Sequence, residues 1–441
     1  MSYIPSTGEE RKDMLQAIGL NSFEELYVNV PSELVHNGKY THLADDGLSE
    51  FETLREMEGF AAKNKRFGTI FRGAGAYRHY IPSCVKHLSG RSEFVTAYTP
   101  YQAEMSQGVL QAIFEYQTAI CMLTGMDVSN ASVYDGATAA AEAVSMCREK
   151  KQNTVIVSEA VNPYTLSVIR TYSKAMDINV LVCPAKDGQT DLDQLKNLLN
   201  DETAAVYAEI PNYFGIIEDG EKIAEITHTT KAKFVAGVNP VSLGVLTPPG
   251  EYGADIAVGD AQPLGMPLSF GGPYVGFMSA KKALVRKLPG RIVGETKDLE
   301  GKRAYVLTLQ AREQHIRREK ASSSICSNQA LCALTATIYC AAMGPQGLYD
   351  VASQSMANAQ YLKQELAKLD KFEVLYPDVP TFHEFVTSYK GDADKLLSCL
   401  EQNGVLGGLP LGSGKILWCA TEVNTKAEID CLVKTVKECD A

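Results

Sequence analysis

The chain has 441 residues, 45% hydrophobic and 22% charged, enough to bury a large core and fill two or three domains. Its formal charge of −11 argues against a nucleic-acid or anionic-membrane surface, because either calls for a basic stripe. The eleven cysteines show no C-x-x-C pair and no Cys/His cluster at ligand spacing, so no metal site or disulfide framework is expected and most are read as buried, reduced thiols.

The opening "MSYIPSTGEERKDML" lacks an apolar signal core and carries acids that a transit peptide avoids. No apolar run reaches the roughly 18 residues of a membrane span, and a cytoplasmic protein is expected. Residues 1–60 read as an N-terminal arm of short helices broken by "NVPSEL" and "LADDGLSE", with Met14, Leu15 and Ile18 at helical spacing. From about residue 100, long helices alternate with short apolar strands: "QAIFEYQTAICMLTG", "TAAAEAVSMCREK", then "NTVIVSE", "INVLVCP", "AAVYAEIP", "AKFVAGV" and "DIAVGD". Such alternation predicts a doubly wound, mostly parallel sheet, an α/β fold, within a large domain over 61–340. A helix over about 347–369 then leads into "FEVLYP", "FHEFVTSY", "ADKLLSCLEQNGV", "KILWCAT" and "TKAEIDCLVKTVKE". These elements predict a small C-terminal α+β domain over 341–441.

Two apparent motifs dissolve on inspection. "GGLPLGSGKI" lacks the early glycine of a P-loop, and Ile416 stands where the magnesium-binding hydroxyl belongs, so it reads as a loop before a strand. His383-Glu384 lacks the second histidine of a zinc-hydrolase helix. "VYDGATAAAEAV" is a strand end, a turn and a helix start, a place where a phosphate can sit. There Asp135 supplies a carboxylate that would cap the helix itself and repel a dianion.

Three stretches hold candidate site residues. "FVTAYTPYQAEMSQG" sets Tyr98, Thr99, Tyr101 and Gln102 around Pro100, either as ordinary half-buried packing or as walls for a small polar substrate. "FRGAGAYRHYIP" offers Arg72, Tyr77, Arg78 and His79 after two glycines. "LQAREQHIRREKASSSIC" gathers Arg312, His315, Arg317, Arg318 and Lys320, either a solvated basic turn or a surface for an anionic partner.

"YTPYQAEMSQG", "GVNPVSLGVL", "GADIAVGDAQPLGMPLSFGGP", "PGRIVGETKD" and "REQHIRREKASSSIC" together make the chain resemble the P-protein family of the glycine cleavage system. More narrowly, it is similar to the α unit (subunit 1) of the two-chain form of glycine dehydrogenase (decarboxylating). The resemblance runs from about Phe71 to the C-terminal "CATEVNTKAEID". It implies the type I aminotransferase fold, whose catalytic member holds pyridoxal phosphate on a lysine, with an aspartate one strand earlier against the pyridinium nitrogen. Here Gln262 falls at the lysine position and Ala236 at that of the aspartate, so no cofactor-binding residue is expected in this chain.

By the same resemblance the chain is half of an enzyme. A β subunit would carry pyridoxal phosphate, the pair would decarboxylate glycine, and the aminomethyl group would pass to the lipoyl group of H-protein in an α2β2 assembly. Tyr98, Thr99 and Tyr101 are then the candidates to enter the partner's site, with Arg72, Arg78, Gln102, Arg317 and Arg318 as substrate or interface residues. Two other readings stay open. One is a scaffold that only stabilises the β subunit; the other is a stand-alone aminotransferase-like enzyme using Lys281 or Lys282.

Overall fold

The computed structural model describes residues 6–34, 47–269 and 271–440. The chain separates into two units, Met1–Arg66 and Phe67–Ala441. In the first, α1 (Gly8–Ala17) and α2 (Glu50–Ala61) each begin with a reciprocal cap: the hydroxyl of Thr7 or Ser49 accepts an amide three residues on, and Glu10 or Glu52 reaches back. Neither helix buries a residue, and Met14, Phe51, Leu54, Met57 and Phe60 stand exposed. The "LADDGLSE" break lies partly outside the described residues.

The second unit starts its main layer with α3 (Gln107–Thr124), β1 (Val128–Ser129), α4 (Gly136–Met146), β2 (Thr154–Ser158), α5 (Pro163–Ala175) and β3 (Asn179–Cys183). It continues with β4 (Thr203–Glu209), β5 (Lys233–Gly237), β6 (Ile256–Asp260) and β7 (Gly276–Ala280). These strands form one sheet in the order β1-β7-β6-β5-β4-β2-β3. Only β7 runs against its neighbours; the pairs from β6 across to β3 are parallel. The predicted doubly wound sheet is therefore present.

Parallel strands covered on both faces read as continuous apolar runs, and successive residues serve opposite layers. Val155, Val157, Val235 and Val258 pack against the alanines 139, 140, 141 and 143 of α4. Ile156, Val206, Phe234 and Ala236 face Tyr116, Ile120, Ala333 and Ala336 on the other side. The small side chains of α4 let its axis lie close to the sheet, bringing its N-terminus up to the strand ends.

A hairpin, β8 (Ile292–Lys297) and β9 (Arg303–Thr308), lies beside α3. Two glutamines, nearly three turns apart on α3, fasten it. The Gln117 carboxamide donates to the Val293 carbonyl and accepts its N–H, both at 2.9 Å, and Gln107 does the same with Tyr305 at 2.8 Å. Each side chain thus stands in for a strand, satisfying backbone groups that the hairpin edge would leave open.

The helix α6 (Ala330–Leu366) breaks at Gly344, whose φ of 64° precedes Pro345. Its second half covers the antiparallel sheet of β10 (Phe372–Val374), β11 (Glu384–Tyr389), β12 (Leu409–Gly412) and β13 (Lys415–Cys419), ordered β10-β11-β13-β12. The helices α7 (Ala393–Gln402) and α8 (Lys426–Asp440) pack on the same core around Trp418.

Two expectations are corrected here. "GGLPLG" is not a loop: Leu409–Gly412 is an edge strand hairpinned to β13, and an edge tolerates the missing N–H of Pro410. Cys399 on α7 and Cys439 on α8 form a disulfide with a Cα separation of 6.0 Å, and of the nine free cysteines only four are buried. The pair is 40 residues apart, and helix packing joins what spacing rules inspect locally. Among the described residues no helix is long and apolar enough to cross a membrane.

Gln117→Leu tests the fastening. It leaves the buried N–H and carbonyl of Val293 unpaired at about 1–3 kcal/mol each, so the thermal midpoint is expected to fall by several degrees in a differential scanning measurement.

Candidate functional site

At the carboxyl ends of β4, β5 and β6, where doubly wound sheets hold their ligands, lies a cavity of about 600 Å³. Glu209, Gly237, Asn239 and Asp260 come from the strand ends, Gly136 from the start of α4, and residues 73–77 close one side. No lysine, arginine or histidine lines it among the described residues; three acids and six tyrosines do.

The position expected to mark the lost lysine is filled by a clamp. The Gln262 carboxamide is fully buried. Its Oε1 accepts the Tyr77 N–H at 2.9 Å, while Nε2 donates to the carbonyls of Tyr77 at 2.9 Å and Met266 at 2.8 Å. Every polar atom of the side chain is used, and the 73–77 segment is sewn to the loop after β6.

The helix N-terminus beside it is also taken. Asp135 caps α4 by accepting the Thr138 N–H at 2.7 Å, and Asp260 accepts the Gly136 N–H at 3.0 Å. The approach of Gly136 to β6 is so tight that a Cβ there would meet the Asp260 nitrogen at 2.8 Å. Ala236 is buried within β5 and brings no carboxylate. Pyridoxal phosphate needs an amine, an acid for its ring and a cationic or amide cup for its phosphate. These residues offer an amide, a methyl group and two carboxylates, and they do not fit it.

The buried acids carry the mark of this inversion. Burial pushes Glu209 and Asp260 up to about 7, Asp260 with added repulsion from Asp135. Glu384 on β11 is likewise pushed to about 7 by burial, although it accepts the Ala74 N–H at 2.7 Å and the Tyr77 hydroxyl at 2.8 Å. Tyr77 thereby ties the large sheet to the small one. His79 continues the seam, its Nδ1 lying 2.6 Å from Glu422.

The candidates read from sequence fall into separate places. Arg72 donates to the carbonyls of Gly407 at 3.2 Å and Gly408 at 2.9 Å and so braces the small sheet. Arg78 is exposed, and its carbonyl accepts the Thr421 hydroxyl at 2.6 Å. Tyr98, Tyr101 and Met105 stand 81%, 66% and 82% exposed, with Gln102 exposed between them. Beneath them Thr99 accepts from Arg291, whose guanidinium also lies 5.4 Å from the Tyr101 ring. Arg317 and Arg318 are exposed on the basic turn, Arg318 at a φ of 54°. Arg312 of that turn donates to the Leu288 carbonyl, three residues before Arg291. The structure thus brings "PGR" between two stretches that are far apart in sequence.

Lys281 lies at the other end of the sheet. It follows Ala280, which pairs with Ile256 at the start of β6, whereas the cavity meets Asp260 at its end. It ion-pairs with Asp255 at 3.1 Å, which removes it as a cofactor lysine. Sequence reasoning missed Glu209, Asp260, Glu384 and Arg291. Arg291 and Asp260 both lie inside motifs that carry the resemblance, Glu209 ends a quoted strand, and Glu384 enters only as part of a zinc motif; none of them carries a sign of the contact it makes. No group of three His, Cys, Asp or Glu residues among the described residues is placed to hold a metal ion.

Two tests follow from this chemistry. Titration of pyridoxal phosphate into Gln262→Lys is expected to give no visible band of lysine-bound cofactor, since both carboxylates still occupy the phosphate position. For Glu384, a pKa raised on folding means the folded state holds the proton. Its contribution is full below the ordinary value of 4.5 and is lost as pH rises through about 7. The thermal midpoint of Glu384→Gln should therefore fall less between pH 5 and pH 8 than that of the wild type.

Known proteins match the chain along nearly its whole length. The glycine cleavage system P-protein family matches residues 1–436. Relatives described as probable glycine dehydrogenase (decarboxylating) subunit 1 include that of Moorella thermoacetica, 51% identical over 99% of both chains. The one from a Geobacillus species is 46% identical over 100% of this chain and 99% of its own. A crystal structure of glycine decarboxylase (P-protein) of the glycine cleavage system, in inhibitor-bound form, superposes with a TM-score of 0.91 at 43% identity, covering all of both chains. Glutamate decarboxylase of Lactobacillus brevis, at 13% identity, shares the fold with a TM-score of 0.66 over 95% of this chain and 96% of its own. A family model that spans residues 1–436 and relatives about half identical along their whole length place the chain in the glycine cleavage system P-protein family, on its subunit 1 branch.

Proposed function

We propose that this chain, as subunit 1 of glycine dehydrogenase (decarboxylating), completes a site whose pyridoxal phosphate is carried by the second subunit. A subunit 1 implies a subunit 2, and the residues of this chain's own cavity do not fit the cofactor. The observation that carries the reading is the loop from Tyr98 to Gln102. Its aromatic side chains are exposed while its base is held by a buried arginine and by Gln107, which donates to the Ala103 carbonyl at 2.8 Å. Large exposed aromatics on a braced loop are surface prepared for a partner, because their ordering cost is met before association.

Seated in the partner's site, Tyr98, Thr99 and Tyr101 would hydrogen-bond the glycine carboxylate or the cofactor phosphate. The two tyrosine rings would exclude water, and a carboxylate deprived of hydration loses carbon dioxide more readily. The aminomethyl group then passes to the lipoyl group of H-protein. The basic turn with Arg317 and Arg318 is read as lining the contact with the second subunit or with H-protein, within an α2β2 assembly.

The test uses the complex reconstituted with subunit 2 and H-protein. Tyr98→Phe and Tyr101→Phe are expected to lower kcat/KM for glycine by about tenfold, the worth of a hydrogen bond to a charged group. Unchanged values would leave a scaffold that never touches substrate. Arg317→Ala with Arg318→Ala should weaken assembly or raise the KM for H-protein; if neither moves, the turn is solvated surface.

A further inference from the structure

Arg291 is an unusual residue for an acidic protein to bury. It is only 5% exposed, yet no carboxylate among the described residues lies within ion-pair distance of it. One N–H donates to Thr99, and the guanidinium stacks on Tyr101. Its other N–H groups make no hydrogen bond within the described residues. Those open N–H groups are not sealed off, since no Arg291 nitrogen is both buried and unpartnered, and a guanidinium so confined without a counter-charge is costly to hold.

The turn that carries it is tightly held. The Asn130 carboxamide donates to the Pro289 carbonyl at 2.8 Å, and the Arg291 carbonyl accepts the Ala131 N–H at 2.8 Å. Gly290 takes a φ of 76° that a side chain would strain. Arg312 grips the Leu288 carbonyl, with its own Nε and Nη2 buried and unpartnered. Its one electrostatic acid neighbour, Glu313, forms no ion pair with it and keeps a buried, unpartnered oxygen. Two under-neutralised guanidinium groups therefore share one rigid turn beneath the exposed tyrosines. Such a fork with open N–H groups matches a planar or tetrahedral oxyanion.

We propose that Arg291 is an oxyanion-binding residue of the shared site, its open N–H groups receiving a carboxylate or phosphate that the second subunit presents under the Tyr98–Tyr101 loop. Arg312 acts as a positioning residue, holding the turn and adding positive potential. This rests on the reading that the loop enters the partner's site. The two anion sources are the glycine carboxylate and the phosphate of the partner's pyridoxal phosphate.

The experiment is kinetics and cofactor binding in the reconstituted complex. If the anion is the substrate carboxylate, Arg291→Gln raises the KM for glycine by about tenfold to a hundredfold and leaves cofactor affinity alone. If it is the cofactor phosphate, the dissociation constant of pyridoxal phosphate rises by that factor instead. In either case Arg291→Lys recovers part of the loss, since it keeps the charge without the fork; a purely structural role predicts no such rescue. An assembled Arg291→Gln complex with both constants at wild-type values overturns the proposal. Should that variant not assemble, Arg291→Lys decides, and unchanged constants in it overturn the proposal equally. Silent Tyr98→Phe and Tyr101→Phe variants would overturn the underlying reading, whereas active-site effects there with a silent Arg291→Gln would remove only the oxyanion assignment.

Discussion

The Gln262 carboxamide is the joint on which the arrangement turns. A primary amide both donates and accepts, so one side chain can close a two-way exchange with the backbone of Tyr77 and still reach Met266. A lysine at this point has donors only and would leave the Tyr77 N–H unpaired. With the 73–77 segment sewn down, the Tyr77 hydroxyl meets Glu384 of the small sheet, and the rings of Tyr77 and His383 lie 4.4 Å apart. The residue that reads as a lost catalytic group is a structural link between the two sheets.

A second set of links serves the outer face. Gln107 and Gln117 tie the first helix of the main layer to the hairpin, and Arg291, at the foot of that hairpin, reaches the loop bearing the tyrosines. The inner cavity and the outer loop are thus built from the same elements but with opposite chemistry. The strand ends hold acids beside a helix N-terminus, while the turn before the hairpin holds a cation on a chain that is acidic as a whole.

Much of the fold was legible because its signals are periodic. The strands "TVIVS", "FVAG" and "IAVGD" are nearly continuous apolar runs, the pattern of a parallel sheet covered on both faces. Gln262 was legible as a position of interest, since it sits at a fixed distance from glycine-rich landmarks, but the clamp it forms with Tyr77 was not. The rest depends on contacts that cross the chain. Thr99 meets Arg291 across 192 residues, and Glu384 reaches Ala74 across 310. Leu409–Gly412 read as a loop because glycine and proline dominate it, yet an edge strand exempts Pro410 from the usual penalty. Cys399 and Cys439 meet only because two amphipathic helices share one core.

The acids inside the molecule also bear on how the whole chain travels in an electric field. Glu142, Glu209, Asp260 and Glu384 each titrate near 7 in the folded state. Burial thus withholds part of their charge at neutral pH. The count of −11 from the sequence therefore overstates the magnitude of the native charge. Folding takes those protons from the buffer, and unfolding returns them. The native protein migrates as a less acidic particle than its composition implies, and the difference marks charge held out of solvent rather than neutralised by bases.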